Sequence, residues 1–209
     1  MCWRQIHNAR KKSQIQQILR RLPERSVILA EDETDLLQFP PLHAMWSPRG
    51  VPARVMLSGG NARRVVFGCL NLKTGHRLFR ACRRQRAEEF QAFLWQVHHH
   101  YGGRHIVMLL DSDTSHTARS SQTLAKRLGI ELIWLPKRAP ELNPVEALWG
   151  QAKKAVSANW QYQSIDEHVD AFLAYVRGLC NATARKTAGL LSKRCWLRRA
   201  TSKHLSSGA

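Results

Sequence analysis

Five short apolar segments, rich in β-branched residues, constrain the fold of this chain more than any other feature. They span residues 26–30, 64–70, 76–82, 105–110 and 130–135. Only the turn NLKTG separates the second from the third, which predicts a β-hairpin that pairs with the first segment in an antiparallel unit. Helical segments precede the fourth and the fifth, which predicts parallel strands joined by right-handed crossovers. The sequence therefore predicts an α/β fold with a mixed sheet of three antiparallel strands followed by two parallel strands, and helices on both faces.

The apolar residues between and around these strands recur at helical spacing. They predict helices over residues 13–22, 88–101, 117–128, 143–157 and 165–179. The stretch 39–55 contains four prolines, which excludes a central strand and favours a structured loop or an edge hairpin.

The charge of the chain indicates a polyanionic partner. Its 209 residues include 33 Lys+Arg and 15 Asp+Glu, for a formal net charge of +18. Residues 63–86 contain eight Lys or Arg and no acidic residue, a surface that attracts phosphate backbones, although any single basic cluster could equally serve solubility. No apolar run reaches the roughly 18 residues of a membrane span, and no signal peptide is evident. The five scattered cysteines form no CxxC pair, which is typical of a protein in the reducing cytoplasm. Together, the charge, the apolar runs and the cysteines predict a cytoplasmic protein that binds nucleic acid and does not associate with membranes.

Three acidic residues stand where predicted strands and helices begin or end. Asp32 follows the first apolar segment, Asp111 follows the fourth, and Glu146 lies in the first turn of the helix predicted from residue 143. If the first and fourth strands are neighbours, Asp32 and Asp111 can share a metal ion and Glu146 can complete the cluster. Carboxylates in so basic a chain are suited to hold divalent ions near a polyanion. The pattern favours a nuclease-type phosphoryl transferase acting on nucleic acid.

Each of these residues also has a plainer interpretation. Asp32 and Asp111 could be solvated turn residues. Glu146 could be the last residue of an N-x-x-E capping box that begins at Asn143, which needs no catalysis to explain it. His116 could contact a phosphate or orient a metal-bound water, or it could cap a helix.

Several motifs together resemble the DDE-superfamily transposases of bacterial insertion sequences related to the mariner group. They are a strand followed by DE, then LLD-x4-H at residues 109–116, then LP-x3-PELNPVE-x-LW-x3-K at residues 135–153. The PELNPVEALWG string is the most specific of them, and the resemblance spans residues 26–196. It implies an RNase H-like catalytic domain over residues 26–200, preceded by a short helical remnant or linker over 1–25 and followed by a disordered tail over 201–209.

The resemblance also implies the chemistry of the site. Asp32, Asp111 and Glu146 would be the catalytic residues and the ligands of Mg²⁺ or Mn²⁺, expected as two ions, with His116 and Asn143 in supporting roles. The residues expected to contact DNA are Arg63, Arg64, Lys137, Arg138, Lys153 and Lys154. Such an enzyme cleaves DNA strands at the ends of a transposable element and joins them to target DNA.

The expected partners are element-end DNA, target DNA, a second copy in a homodimer and a separate N-terminal helix-turn-helix half. We expect the protein in the bacterial cytoplasm, associated with the nucleoid.

The sequence departs from the family pattern in two places. Residues 1–25 are too few for two helix-turn-helix modules, which suggests a fragment or one product of a split gene. Ser112 replaces the usual Asn, and Asp113 adds an extra acid. The alternatives are a catalytically inactive DNA-binding remnant of a transposase and another RNase H-like nuclease.

Overall fold

A computed structural model of the protein, which describes residues 3–57 and 59–197, contains one five-stranded mixed sheet. Its strands are β1 (Val27–Leu37), β2 (Arg63–Asn71), β3 (Arg77–Cys82), β4 (Ile106–Leu110) and β5 (Ile130–Trp134). They are ordered β3-β2-β1-β4-β5. Strand β2 is antiparallel to both β1 and β3, whereas β4 is parallel to both β1 and β5. The predicted mixed sheet is confirmed.

Seven α-helices accompany the sheet in the described part of the chain. They are α1 (Trp3–Arg21), α2 (Ala87–Tyr101), α3 (Thr114–Thr117), α4 (Arg119–Arg127), α5 (Pro144–Ala152), α6 (Ile165–Gly178) and α7 (Asn181–Thr187). A 3₁₀ turn at Pro140–Leu142 precedes α5, and a π-helical turn at Lys153–Ser157 extends it. Within residues 3–57 and 59–197, no helix has both the length and the apolarity needed to cross a bilayer.

The two faces of the sheet bury separate hydrophobic clusters. In β1, Ile28 and Ala30 belong to the cluster that α1, α5 and α6 cover, whereas Val27 and Leu29 belong to the cluster under α2 and α4. Successive side chains of a strand point to opposite faces, which explains this division. Helices therefore lie on both faces, as predicted.

Several predicted boundaries were wrong. Strand β1 does not end at residue 30, because it stays paired with β2 as far as Leu37, so Asp32 lies within a strand. The helix predicted over 117–128 begins earlier and is interrupted at Ala118, whose ψ of 134° is not helical. The stretch 39–55 contains no strand, so of the two predicted structures it forms the loop and not the hairpin.

The predictions for the two ends of the chain have different outcomes. Helix α1 begins ten residues before the predicted start, and its Ile15 and Leu19 are buried against the same cluster as β1. The division of the chain at residue 25 stays a prediction. The predicted tail, residues 201–209, lies outside the described residues.

Candidate metal centre

Strands β1 and β4 place Asp32 and Asp111 at neighbouring positions. Ala30 pairs with Leu109 in parallel register, and each acid lies two residues beyond its member of that pair. Alternation along β1 turns Asp32 to the face that α5 covers, the same face as Ala30. Asp32 is only 9% exposed, whereas the Asp111 side chain, directly after β4, is 57% exposed. The predicted adjacency of these two acids is confirmed.

Helix α5 brings Glu146 to the same face through a close contact with the sheet. Trp149, one turn beyond Glu146, packs over Gly68 of β2, and Gly68 is the residue paired with Asp32. A Cβ atom at Gly68 would lie 2.5 Å from Cη2 of Trp149. Only glycine therefore permits α5 to approach the sheet this closely beside Asp32.

Asn143 fixes the start of α5 to β1. Its Oδ1 accepts a hydrogen bond from the Val145 N–H at 3.2 Å, and its Nδ2 donates to the backbone carbonyl of Glu31 at 2.7 Å. The backbone N–H of Asn143 donates to the Pro140 carbonyl at 2.8 Å, so Glu146 does not close the capping box. Within the described chain the Glu146 carboxylate accepts no hydrogen bond, and the cap does not account for this acid.

The three carboxylates influence one another electrostatically. The pKa of Asp32 is raised to about 8, chiefly by burial and then by the charges of Glu146, Glu33 and Asp111. Burial and the charge of Asp111 also raise the pKa of Glu146, although Lys153 opposes them. Carboxylates that repel one another in this way are stabilised by a bound cation.

The carboxylates of Asp32, Asp111 and Glu146 are nevertheless not gathered tightly. Among the described residues, the one group of three ligand atoms within 4.8 Å of one another comes from Glu31, Glu33 and His116. Glu146 is exposed, so rotation of its side chain can bring its carboxylate closer to Asp32 and Asp111. Shared ligation of an ion requires that rotation.

His116 contacts Asp111 and two acids, Glu31 and Glu33, that face away from Asp32 along β1. Its Nε2 lies 2.8 Å from Glu33 and 3.3 Å from Glu31, and its Nδ1 lies 3.0 Å from Oδ1 of Asp111. Burial lowers the pKa of His116, but the charge of Glu31 and the bonds to Asp111 and Glu33 prevail and raise it to about 11. Both ring nitrogens of the resulting imidazolium are donors, which leaves no lone pair for a metal ion.

The position of His116 excludes two of its predicted roles. Its side chain has no exposed surface, so the prediction that it contacts a phosphate directly was wrong. It does not cap a helix either, because Asp113 caps α3 and accepts a hydrogen bond from the Ser115 N–H at 2.8 Å. The same cap explains the acid at position 113.

Sequence reasoning missed the partners of His116. Side chains alternate along β1, so Glu31 and Glu33 face away from Asp32, and both contact His116. Nothing in the linear pattern indicated that His116 would reach both of those acids and Asp111. That contact depends on the turn between β4 and α3.

Basic residues surround this edge of the sheet. Lys153 is half-buried near Asp32 and Glu146. Burial lowers the pKa of Lys153, although the charges of Asp35, Glu146 and Asp32 oppose this shift. Two predicted DNA-binding arginines are engaged in ion pairs: Arg63 with Asp35 at 2.7 Å and Arg64 with Asp166 at 2.8 Å. The other three, Lys137, Arg138 and Lys154, are exposed. Exposed ion pairs contribute little stability, so a phosphate can compete for these arginines.

Comparisons with known proteins identify relatives of this fold. A family model described as DDE superfamily endonuclease matches residues 27–168. The insertion element IS630 uncharacterized 39 kDa protein of Shigella sonnei is 26% identical over 164 residues, which are 78% of this chain and 48% of that protein. The chain therefore spans about half the length of this curated relative.

Solved structures of Mos1 transposase share the fold. The paired-end complex with the left transposon end has a TM-score of 0.72 at 15% identity, covering 98% of this chain and 63% of that one. The mariner Mos1 paired end complex with Mg has a TM-score of 0.71 at 15% identity, covering 95% and 61%. The predicted RNase H-like fold is confirmed.

Proposed function

The chain belongs to the DDE superfamily endonuclease family, and on that basis we propose that it is the catalytic domain of a metal-dependent DNA transposase. It cleaves DNA strands at the ends of a transposable element and joins them to target DNA. The observation that carries this proposal is the placement of Asp32 and Asp111 on neighbouring parallel strands, near enough to Glu146 for the three charges to act on one another.

Asp32, Asp111 and Glu146 would hold the metal ions, either Mg²⁺ or Mn²⁺, expected as a pair. The donor set fits, because carboxylate oxygens are the ligands these hard cations prefer. The raised pKa of Asp32 also fits, because a cation offsets the repulsion that raises it. When bound, such ions activate a water or a 3′-hydroxyl and stabilise the leaving oxygen.

The residues around the triad would orient the DNA. Lys153 lies beside the carboxylates and can contact the phosphate next to the cleaved bond. Lys137, Arg138 and Lys154 extend a basic surface from it, and Arg63 and Arg64 exchange their carboxylate partners for phosphates. Asn143 holds α5 in place, so that Glu146 faces Asp32.

Some partners belong to the whole enzyme. We expect element-end DNA and target DNA as substrates, a homodimer that pairs two ends, and a separate helix-turn-helix half that recognises the terminal repeats. The chain would act in the bacterial cytoplasm, at the nucleoid.

A Mg²⁺-dependent nicking and joining assay tests the proposal. The substrate is DNA that carries the inverted repeats flanking the gene, and the products are separated on denaturing gels. We expect nicks at the repeat ends and joined products that require Mg²⁺, both lost in Asp111→Asn and retained in the matched control Asp170→Asn, whose side chain is exposed on α6.

Other outcomes of the assay identify the alternatives. DNA binding without metal-dependent cleavage would show an inactive transposase remnant. Nicking of unrelated branched DNA without joined products would show another RNase H-like nuclease.

A further inference from the structure

His116 contacts Asp111 and two acids, Glu31 and Glu33, that face away from Asp32 along β1. We propose that His116 is a positioning residue, which orients the Asp111 carboxylate for metal binding by anchoring it to the buried pair Glu31 and Glu33. This inference rests on the proposed metal centre but concerns residues that do not themselves bind the ion.

Several contacts hold His116 in place. The ring of His116 packs against Phe90 with centroids 4.4 Å apart, and its Nε2 lies 2.8 Å from Glu33. Glu33 accepts hydrogen bonds from Gln85 and from the Ser115 hydroxyl, each at 3.3 Å. Within the described residues, neither carboxylate oxygen of the buried Glu31 has a hydrogen-bond partner, and Nε2 of His116 lies 3.3 Å from it. The ring of His116 is thus held in place from the side remote from Asp111.

The contact with Asp111 orients one particular oxygen. Oδ1 of Asp111 accepts hydrogen bonds from Nδ1 of His116 and from the Asp113 N–H, both at 3.0 Å. Oδ2 accepts none within the described residues. Two donors on one oxygen fix the plane of an otherwise exposed carboxylate and leave its other oxygen available as a ligand. Hydrogen bonds of this kind orient metal ligands, and their loss typically lowers metal affinity or activity by about 10-fold to 100-fold.

A purely structural role for His116 would require only part of this geometry. Compensation of the buried charges of Glu31 and Glu33 uses Nε2, whereas orientation of Asp111 uses Nδ1. Two substitutions separate these functions. In His116→Asn the amide nitrogen can take the place of Nδ1, and in His116→Gln it can take the place of Nε2.

Mn²⁺ binding to the full chain, measured by isothermal titration calorimetry without DNA, distinguishes the two roles. We expect His116→Gln to lower the Mn²⁺ affinity by about tenfold or more, and His116→Asn to remain closer to the wild type although it loses more thermal stability. Mn²⁺ affinity that is unchanged in His116→Gln would overturn the proposal. So would an affinity that falls in both variants in proportion to the thermal stability that each has lost.

Two further variants keep the test decisive. His168→Gln is the matched control, because His168 is also a buried histidine, hydrogen-bonded to Ser157 at 2.6 Å; we expect it to lose stability but to keep Mn²⁺ affinity. If His116→Gln fails to fold, the comparison is made in a Glu31→Gln background, which removes one buried charge. There, an equal affinity with and without His116→Gln overturns the proposal.

The same measurements separate this inference from the proposed function. A chain that binds Mn²⁺ with the expected dependence on His116 but nicks no DNA would refute the transposase and support the positioning role. A chain that nicks element-end DNA, with Mn²⁺ affinity and Mg²⁺ dependence unaltered in His116→Gln, would support the transposase and refute the positioning role.

Discussion

Replacement of Asp32 by asparagine should stabilise the protein increasingly as the pH rises, while it removes activity. In the folded chain the pKa of Asp32 is raised to about 8 from its ordinary 3.8, by burial and by the neighbouring carboxylates. A raised folded-state pKa contributes stability that is fully present below the unfolded pKa and is lost as the pH rises through the folded pKa. Asparagine carries no titrating proton, so the variant escapes that loss.

The magnitude follows from proton linkage. Between the two pKa values the folded wild type binds about one proton more at this site than the unfolded chain, which lowers its free energy of unfolding by about 1.4 kcal/mol per pH unit. From about pH 5 to about pH 7 the wild type should therefore lose about 3 kcal/mol relative to Asp32→Asn. The titrations of His116 and Glu31 occur in both proteins and largely cancel in the difference.

Urea denaturation in EDTA at several pH values between these limits measures this difference. We expect the free-energy curves of wild type and Asp32→Asn to diverge as the pH rises, with the variant the more stable at neutral pH. Parallel curves would refute the reasoning, because they would mean that Asp32 titrates alike in the folded and unfolded chain.

Three further predictions follow from the geometry around the triad. Gly68→Ala should destabilise the protein by about 1–3 kcal/mol in thermal or urea unfolding, because the new Cβ meets Trp149 at 2.5 Å; an unaltered midpoint would contradict this close approach. Glu146→Gln should change stability by less than about 0.5 kcal/mol, since this carboxylate accepts no hydrogen bond from the residues that the structure describes, yet abolish metal-dependent nicking; retained nicking would exclude Glu146 from the site. Asn143→Ala should cost about 1–2 kcal/mol through loss of the cap of α5, whereas Mg²⁺ should restore part of the lost stability if Glu146 still reaches the ion; no destabilisation would show that the cap is dispensable.

The mixed sheet could be predicted because each strand carries its own apolar signal. The segments around Ile28, Val66 and Val107 are uniformly apolar, and the lengths of the connections between them determine which pairs are antiparallel and which are parallel. The adjacency of Asp32 and Asp111 followed from the same reasoning. It required only that both acids follow apolar segments that form neighbouring parallel strands.

The second half of β1 and the helical breaks could not be predicted in this way. Residues 31–37 are mostly polar, and they stay extended because β2 pairs with them and because His116 and Asn143 satisfy their buried polar groups. His116 and Asn143 lie more than 80 residues away from Glu31 in sequence. Helix α7 buries only Ala184, so it had no apolar stripe to reveal it.

The most direct test of the central claim is the location of bound Mn²⁺ in crystals, by anomalous scattering. Glu31 and Glu33 lie on the face of β1 opposite to Asp32, so the position of the peak distinguishes the proposed centre from the acids around His116. We expect Mn²⁺ between Asp32, Asp111 and Glu146, with the side chain of Glu146 rotated toward Asp32. A peak beside Glu31, Glu33 and His116, or none at the triad at millimolar Mn²⁺, would contradict the proposed catalytic centre.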